Sequence, residues 1–195
     1  MAEGAKIHVR LMGHSYIRRL GEFIAANENY ANLQLDNTRY FVDFQARGGL
    51  TFQRLAQCAE FTNFPKPPPD VCFLQMGGND LCRVQPHKVV TDLLSYAQYL
   101  RDGVGIKNVI VGQLLRRQPW ATRPGYNEDV IYVNNKLKEG TATLENIYYW
   151  QHRGFWTDLS YLGRDGVHIE GTSRHMKKYL HSIHSIRIAV LHHSR

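Results

Sequence analysis

The sequence predicts an α/β fold of three layers, in which a parallel sheet of five strands lies between two layers of helices. Two observations support this prediction: five short apolar runs have strand-like composition, and longer segments with a helical pattern separate them. A strand followed by a helix, repeated along the chain, is typical of a doubly wound parallel sheet. Sheets of this kind form their functional sites at the carboxyl ends of the strands.

The predicted strands are residues 6–12, 40–45, 71–76, 109–115 and 147–151, and the predicted helices are residues 16–26, 52–60, 86–101, 127–138 and 172–190. The first strand departs from the pattern, because His8 and Arg10 alternate with its apolar residues. A strand covered on both faces normally reads as continuous hydrophobic sequence. Either this strand is less covered than its neighbours, or His8 and Arg10 are paired.

Length and composition favour one domain over residues 1–195. The 195 residues, 43% of them hydrophobic, suffice for one well-buried core and are few for two. No apolar run approaches the roughly 20 residues that a membrane-spanning helix needs, and residues 1–6 lack the apolar stretch of a secretory signal. The three cysteines have no C-x-x-C spacing, which argues against a disulfide framework and a zinc ribbon. We therefore expect an intracellular, cytoplasmic protein.

The net charge of +7 implies attraction to anionic partners. Phosphates, acidic glycans, nucleic acid and anionic membranes all fit, and the charge does not choose among them. His181 and His184 share one helical face, but no third ligand accompanies them at a suitable spacing, so we predict no metal site and no cofactor. The sequence does not determine the oligomeric state.

Ser15 follows the first predicted strand in the tripeptide Gly13-His14-Ser15, and a helical pattern begins directly after it. A serine in this turn projects its hydroxyl at the carboxyl edge of the sheet, and its backbone N–H, at a helix N-terminus, points toward an anion formed nearby. Ser15 is therefore a candidate nucleophile. The alternative is that Ser15 only caps the helix, which is the commonest role of a serine at this position.

Asp165 precedes His168 by three residues in a loop that contains Gly166. In a tight loop this spacing can bring the carboxylate against the imidazole Nδ1–H, so that Nε2 faces a serine as general base. A surface Asp/His pair without catalytic role is the alternative. Two further motifs supply hydrogen-bond donors: the glycine pair at Gly49 exposes a backbone N–H, and Asn79 follows the third strand. With the N–H of Ser15 they would complete the groups that acyl transfer needs.

These residues resemble the four blocks that define the SGNH (GDSL-like) hydrolases, in the order Gly13-His14-Ser15, Gly49, Gly77-Gly78-Asn79-Asp80 and Asp165-x-x-His168. The resemblance implies a flavodoxin-like three-layer fold, a triad of Ser15, His168 and Asp165, and an oxyanion hole formed by Ser15, Gly49 and Asn79. It implies a carboxylic ester hydrolase acting on short-chain, acetyl or lipid esters without a cofactor. The family usually has Asp directly before the serine, where this chain has His14.

The segment that begins at Gly13, Gly-His-Ser-Tyr-x-Arg-Arg-Leu, is also similar to esterase-like domains of some animal retroelements. We predict that His14, Arg18, Trp120 and Tyr126 contribute to substrate binding, the arginine by favouring an anionic group and the aromatic residues by forming an acyl-binding wall. The alternatives are a solvated surface charge for the arginine and core packing or a loop anchor for the aromatic residues. The alternative to an esterase is an impaired module of the same fold that binds nucleic acid or an anionic membrane through its basic surface.

Overall fold

The computed structural model describes residues 5–170 and 176–194. Its sheet consists of five parallel strands in the order β2-β1-β3-β4-β5. The strands are β1 (Ile7–Gly13), β2 (Tyr40–Ala46), β3 (Val71–Gln75), β4 (Asn108–Gly112) and β5 (Ile147–Trp150). The predicted parallel sheet of five strands is confirmed.

Helices cover both faces of this sheet. They are α1 (Ser15–Ala25), α2 (Phe52–Leu55), α3 (Ala59–Thr62), α4 (Pro86–Gln98), α5 (Tyr126–Thr141) and α6 (Met176–His193), with 3-10 segments at Glu28–Gln34 and Pro119–Ala121 and a π-helical continuation of α4 at Tyr99–Val104. Buried residues of α1 and α6 form one core on one face, and those of α4 and α5 form the other. The predicted three-layer architecture is therefore also confirmed. Among the helices of the described residues, none has the length and apolar character that crossing a membrane requires.

Two of the predicted helices need comment. The start of the last one, expected at residue 172, lies outside the described residues. The helix predicted over residues 52–60 is wrong, because the chain forms the single turns α2 and α3, and Cys58 between them is extended. The buried side chains here are Leu55, Cys58 and Phe61, one in every three residues. This spacing is shorter than the 3.6-residue period of a helix, and the break keeps all three side chains facing the core.

The polar residues of β1 are paired across the sheet. Arg10 Nε donates to Asp43 Oδ1 on β2 at 3.0 Å, and His8 Nε2 lies 3.1 Å from Asp43 Oδ2. β1 is an inner strand, between β2 and β3. Both explanations for the alternation in β1 therefore apply: His8 and Arg10 are half-buried, whereas β3 is buried throughout, and both side chains lie against Asp43.

β4 ends three residues earlier than predicted, at Gly112. The cause is Asn134 of α5, whose Oδ1 accepts from Leu114 N at 2.8 Å and whose Nδ2 donates to Leu114 O at 2.9 Å. The side-chain amide thus satisfies both backbone groups of Leu114, which no longer need a neighbouring strand. The chain leaves the sheet at its carboxyl edge, where the loops that follow β1 and β3 also emerge.

Candidate active site

The turn between β1 and α1 presents Ser15. Gly13 allows β1 to approach β3 closely, since a Cβ on Gly13 would lie 2.2 Å from Gln75 O. His14 is the N-cap of α1: its backbone is extended and its Nδ1 accepts from Tyr16 N at 3.3 Å. Ser15 is the first residue of the helix and not its cap, so the capping alternative is wrong and the Ser15 hydroxyl is available for another partner.

That partner is His168, although 153 residues separate the two in sequence. Ser15 Oγ lies 2.6 Å from His168 Nε2, and His168 Nδ1 lies 2.7 Å from Asp165 Oδ2. The other carboxylate oxygen, Asp165 Oδ1, accepts from the backbone N–H groups of Val167 and His168, each at 2.9 Å. Because the carboxylate can only accept, His168 Nδ1 carries the proton, and Nε2 is the acceptor that faces the Ser15 hydroxyl.

The charges of this pair suit a general base. Partial burial raises the pKa of Asp165, but hydrogen bonds from the backbone and ring of His168 and from Val167 N–H outweigh it and lower that pKa to about 2. Burial lowers the pKa of His168 below its ordinary value, and the charges of Arg19 and Arg117 act in the same direction, against the opposing effect of Asp165. At neutral pH the carboxylate is ionised and the imidazole is neutral.

The lowered pKa of His168 predicts how the reaction rate depends on pH. Only the neutral imidazole can accept the Ser15 proton, so kcat/KM should fall as the pH drops through the pKa of His168 in the free enzyme. We expect the midpoint of this acid limb below the ordinary value of 6.5. An ester hydrolysis profile from pH 4 to 9 measures it, and a midpoint at pH 7 or above would contradict this account of the base.

His14 is the second imidazole next to Ser15, but it is not placed as the base. Burial, together with the charges of Arg117 and His168, lowers its pKa to about 3, so it is neutral. Its Nδ1 is occupied by Tyr16 N–H, and the proton of the neutral ring is therefore on Nε2. A ring nitrogen that carries a proton cannot take another from Ser15, so of the two imidazoles only His168 is a candidate base.

The two predicted donor loops are tied to each other and to the β1 edge. Arg47 N donates to Gly13 O at 3.1 Å, which joins the segment before Gly49 to the end of β1. Gly49 adopts φ +68°, a conformation that favours glycine. Asn79 Nδ2 donates to Leu50 O at 3.1 Å. Within residues 5–170 and 176–194, the backbone N–H groups of Ser15 and Gly49 have no hydrogen-bond partner.

A narrow cleft of about 30 Å³ adjoins Ser15. Of the residues predicted from sequence, His14, Ser15, Tyr126 and His168 line it together. Asp165 contacts the ring nitrogen of His168 that faces away from Ser15, and neither Gly49 nor Asn79 is among the residues that line the cleft.

Two predicted substrate-binding residues do not line the cleft. Arg18 forms an ion pair with Glu22 on the solvent side of α1. Trp120 is 66% exposed. Its ring lies against Gly166, in the loop that carries Asp165 and His168, where an added Cβ would come within 2.9 Å of it. A role of either residue in substrate binding stays a prediction.

Gln75 and Leu114 line the cleft but were not singled out from the sequence. Gln75 is the last residue of β3, and its position at a carboxyl strand end is the signal that could have identified it. Leu114 was expected inside a longer β4. No Asp or Glu is among the described residues that line the cleft, whereas Arg116 and Arg117 are.

Comparison with known proteins agrees with this geometry. A model of the family described as GDSL-like Lipase/Acylhydrolase matches residues 10–175, which is most of the chain. The chain belongs to this family. It is thus an acyl hydrolase in the general sense of the family, as the resemblance of its four motifs implied. A search of curated protein sequences gives no match.

Solved structures share the fold of this GDSL-like hydrolase at low sequence identity. A protein provisionally described as a platelet activating factor from Streptococcus pneumoniae superposes with a TM-score of 0.72 at 15% identity, covering 97% of this chain and 86% of that one. A lipase/acylhydrolase from Enterococcus faecalis gives 0.63 at 15% identity, with 93% and 96% covered. A catalytic mutant of an acetylxylan esterase from Geobacillus stearothermophilus gives 0.63 at 13%, with 95% and 96% covered.

This GDSL-like hydrolase has His14 where the usual motif has Asp, and His14 performs the same local hydrogen bonding. A carboxylate before the serine can accept a hydrogen bond from the first helical turn, and His14 Nδ1 does so here by accepting from Tyr16 N. The replacement keeps the cap, removes a negative charge next to the nucleophile and adds an N–H group on the cleft side. The local hydrogen bonding of the turn is therefore intact.

Proposed function

We propose that the protein is a serine esterase in which Ser15, His168 and Asp165 act as a catalytic triad. The observation that carries this proposal is the continuous hydrogen-bonded chain from Ser15 Oγ through the His168 ring to Asp165, with contacts of 2.6 and 2.7 Å. A serine hydroxyl is a weak nucleophile unless an oriented base accepts its proton. Both the base and its orienting carboxylate are in contact here.

In the proposed reaction, Ser15 Oγ attacks the ester carbonyl carbon while His168 Nε2 takes the hydroxyl proton. The tetrahedral intermediate collapses when the carbon–oxygen bond to the alcohol breaks and His168 returns the proton to the leaving oxygen. An acyl-serine remains, and water attacks its carbonyl carbon while His168 Nε2 takes a proton from the water. His168 then returns this proton to Ser15 Oγ as the bond between Oγ and the acyl carbon breaks. The Asp165 carboxylate stabilises the imidazolium in both steps.

The negative oxygen of the intermediate needs donors that are in place before the reaction. We assign this role to the backbone N–H groups of Ser15 and Gly49 and to the side chain of Asn79. The first lies at the N-terminus of α1, where the helix dipole favours negative charge. Asn79 has one Nδ2 hydrogen bonded to Leu50 O, and the second is available to the substrate oxygen.

The size of the cleft favours a small acyl group. With a volume of about 30 Å³, the cleft leaves little room beside Ser15 for a long acyl chain. Two of the solved structures with this fold are an acetyl esterase and an acetylxylan esterase, which supports the same substrate class. We propose acetyl and other short-chain esters as substrates and treat residues 1–195 as one catalytic domain.

The complete triad favours hydrolysis over the impaired binding module considered above. A fold kept only for binding has no need of the Ser15–His168 contact, and the replacement of the usual Asp by His14 leaves the turn capped. The basic charge of the chain remains compatible with an anionic substrate.

A series of p-nitrophenyl esters tests the function and the acyl class together. We expect turnover of the acetate, with kcat/KM falling at least about tenfold by the octanoate, because added methylenes do not fit the cleft. Buffer without protein serves as the blank for spontaneous hydrolysis. Equal or faster hydrolysis of the octanoate would exclude the acyl class, and no enzyme-dependent hydrolysis of any ester would exclude the function.

A further inference from the structure

The side chain of Arg117, in the loop that follows β4, reaches the loop that carries Asn79. One nitrogen of its guanidinium, Nη2, donates to Gly78 O at 3.0 Å and to Asn79 Oδ1 at 3.1 Å. The other terminal nitrogen lies 3.1 Å from Cys82 Sγ. Arg117 thus holds three groups of one short segment, and it also lines the cleft beside Ser15.

Arg117 is itself fixed in position. Its guanidinium lies over the ring of the buried Tyr126, 4.8 Å from the ring centre. Its backbone is held at both polar groups by Asn127, whose Oδ1 accepts from Arg117 N at 3.0 Å and whose Nδ2 donates to Arg117 O at 2.9 Å. Arg117 is therefore held at both ends, by Asn127 at its backbone and by the ring of Tyr126 at its guanidinium.

The contact determines which way the Asn79 amide points. A guanidinium has only donors, so the amide atom that faces Arg117 must be the oxygen. The amide nitrogen then faces the opposite side, where it donates to Leu50 O. The terminal torsion of an asparagine is soft. Arg117 and Leu50 O both select this orientation of the amide, and without Arg117 only the single contact with Leu50 O would hold it.

We propose that Arg117 is a positioning residue for the esterase reaction: it holds the Asn79 amide with Nδ2 directed toward the oxyanion. This inference rests on the function proposed above. The positive charge also lies close enough to the reacting groups to lower the pKa values of both His14 and His168, after the larger effect of burial. A charge so placed additionally favours a negative oxygen at the same edge.

Arg117→Met and Arg117→Lys separate the two contributions. Methionine removes the charge and the donors, whereas lysine keeps the charge but cannot make the paired contacts of a planar guanidinium. We expect kcat on p-nitrophenyl acetate to fall about tenfold or more in R117M, with KM within about threefold, and to fall less in R117K. Arg83→Met is the matched control, because Arg83 is exposed in the same segment and, among the described residues, forms no hydrogen bond with the Asn79 side chain. Its kcat should stay within about twofold of the wild type.

A second readout does not depend on turnover. The Nδ2 protons of Asn79, observed by NMR, should be well separated in the wild type, since one is bonded to Leu50 O, and should move toward each other in R117M as the amide reorients. An unchanged kcat together with unchanged Asn79 signals in folded R117M would overturn the proposal, as would a change in KM alone. If R117M does not fold, R117K decides by the same criteria. If the wild type hydrolyses no ester, the proposed function fails, and the Asn79 signals alone decide whether Arg117 positions the amide.

Discussion

Replacing Ser15 with alanine should reduce kcat for ester hydrolysis by a factor on the order of 10⁴ to 10⁶. The substitution removes the proposed nucleophile, and no other hydroxyl forms a hydrogen bond with His168 Nε2 in the described residues. His168→Ala should cause a loss of similar size, because the serine then keeps its proton. The double variant should be no slower than either single variant, since the two side chains act as one unit. Steady-state kinetics with a short-chain ester measures all three.

Ser95→Ala is the control for this experiment, because Ser95 is exposed on α4 and is not part of the cleft. It should retain wild-type kcat and KM. A Ser15→Ala protein that keeps more than about a tenth of the wild-type kcat would show that hydrolysis occurs without Ser15, and the triad would have to be abandoned even if the protein is an esterase.

Replacing Asn79 with alanine should lower kcat by about 10² to 10³ while KM changes little. The Nδ2 group is proposed to bind the oxygen only after it becomes negative, so its loss affects the transition state more than substrate binding. Asn79→Asp keeps the size of the side chain but replaces the donor with a negatively charged acceptor, and it should be at least as slow.

Asn79 also supports its loop through Leu50 O, so the stability of both variants must be measured beside the kinetics. In Asn79→Ala, the loss of this hydrogen bond and of the one from Arg117 should lower the free energy of unfolding by about 2 to 3 kcal/mol, which is too little to unfold the protein at assay temperature. If folded Asn79→Ala retains kcat within about threefold of the wild type, the oxyanion is stabilised by other groups.

The layered fold followed from sequence because its strands are short apolar runs bounded by turn residues. The points at which strands and helices begin or end differently from the prediction depend on contacts between residues far apart in the chain. Asn134 ends β4 early by bonding Leu114, and Asp80 Oδ1 accepts from Phe52 N at 2.8 Å where α2 begins. Periodicity within one segment contains no information about such partners. Periodicity also could not identify Asp43 as the partner of Arg10, although the sequence offered pairing of Arg10 as one of two explanations for the alternation in the first strand.

The site was predicted as far as local spacing and motif order allow. The three-residue spacing of Asp165 and His168 is short enough to indicate their contact, and the order of the motifs indicated that Ser15 would meet them. The roles of the arginines could not be separated, because several of them follow strand ends. Only the folded chain distinguishes Arg18, paired with Glu22, from Arg117, which reaches Asn79.

Covalent trapping with a fluorophosphonate tests the central claim most directly, because this probe reacts with a serine whose proton an adjacent base can remove. The account predicts one adduct per chain, located on Ser15 by peptide mass mapping, absent in Ser15→Ala and formed far more slowly in His168→Ala. A wild-type protein that stays unmodified, or an adduct on another residue, would contradict the claim that His168 activates Ser15.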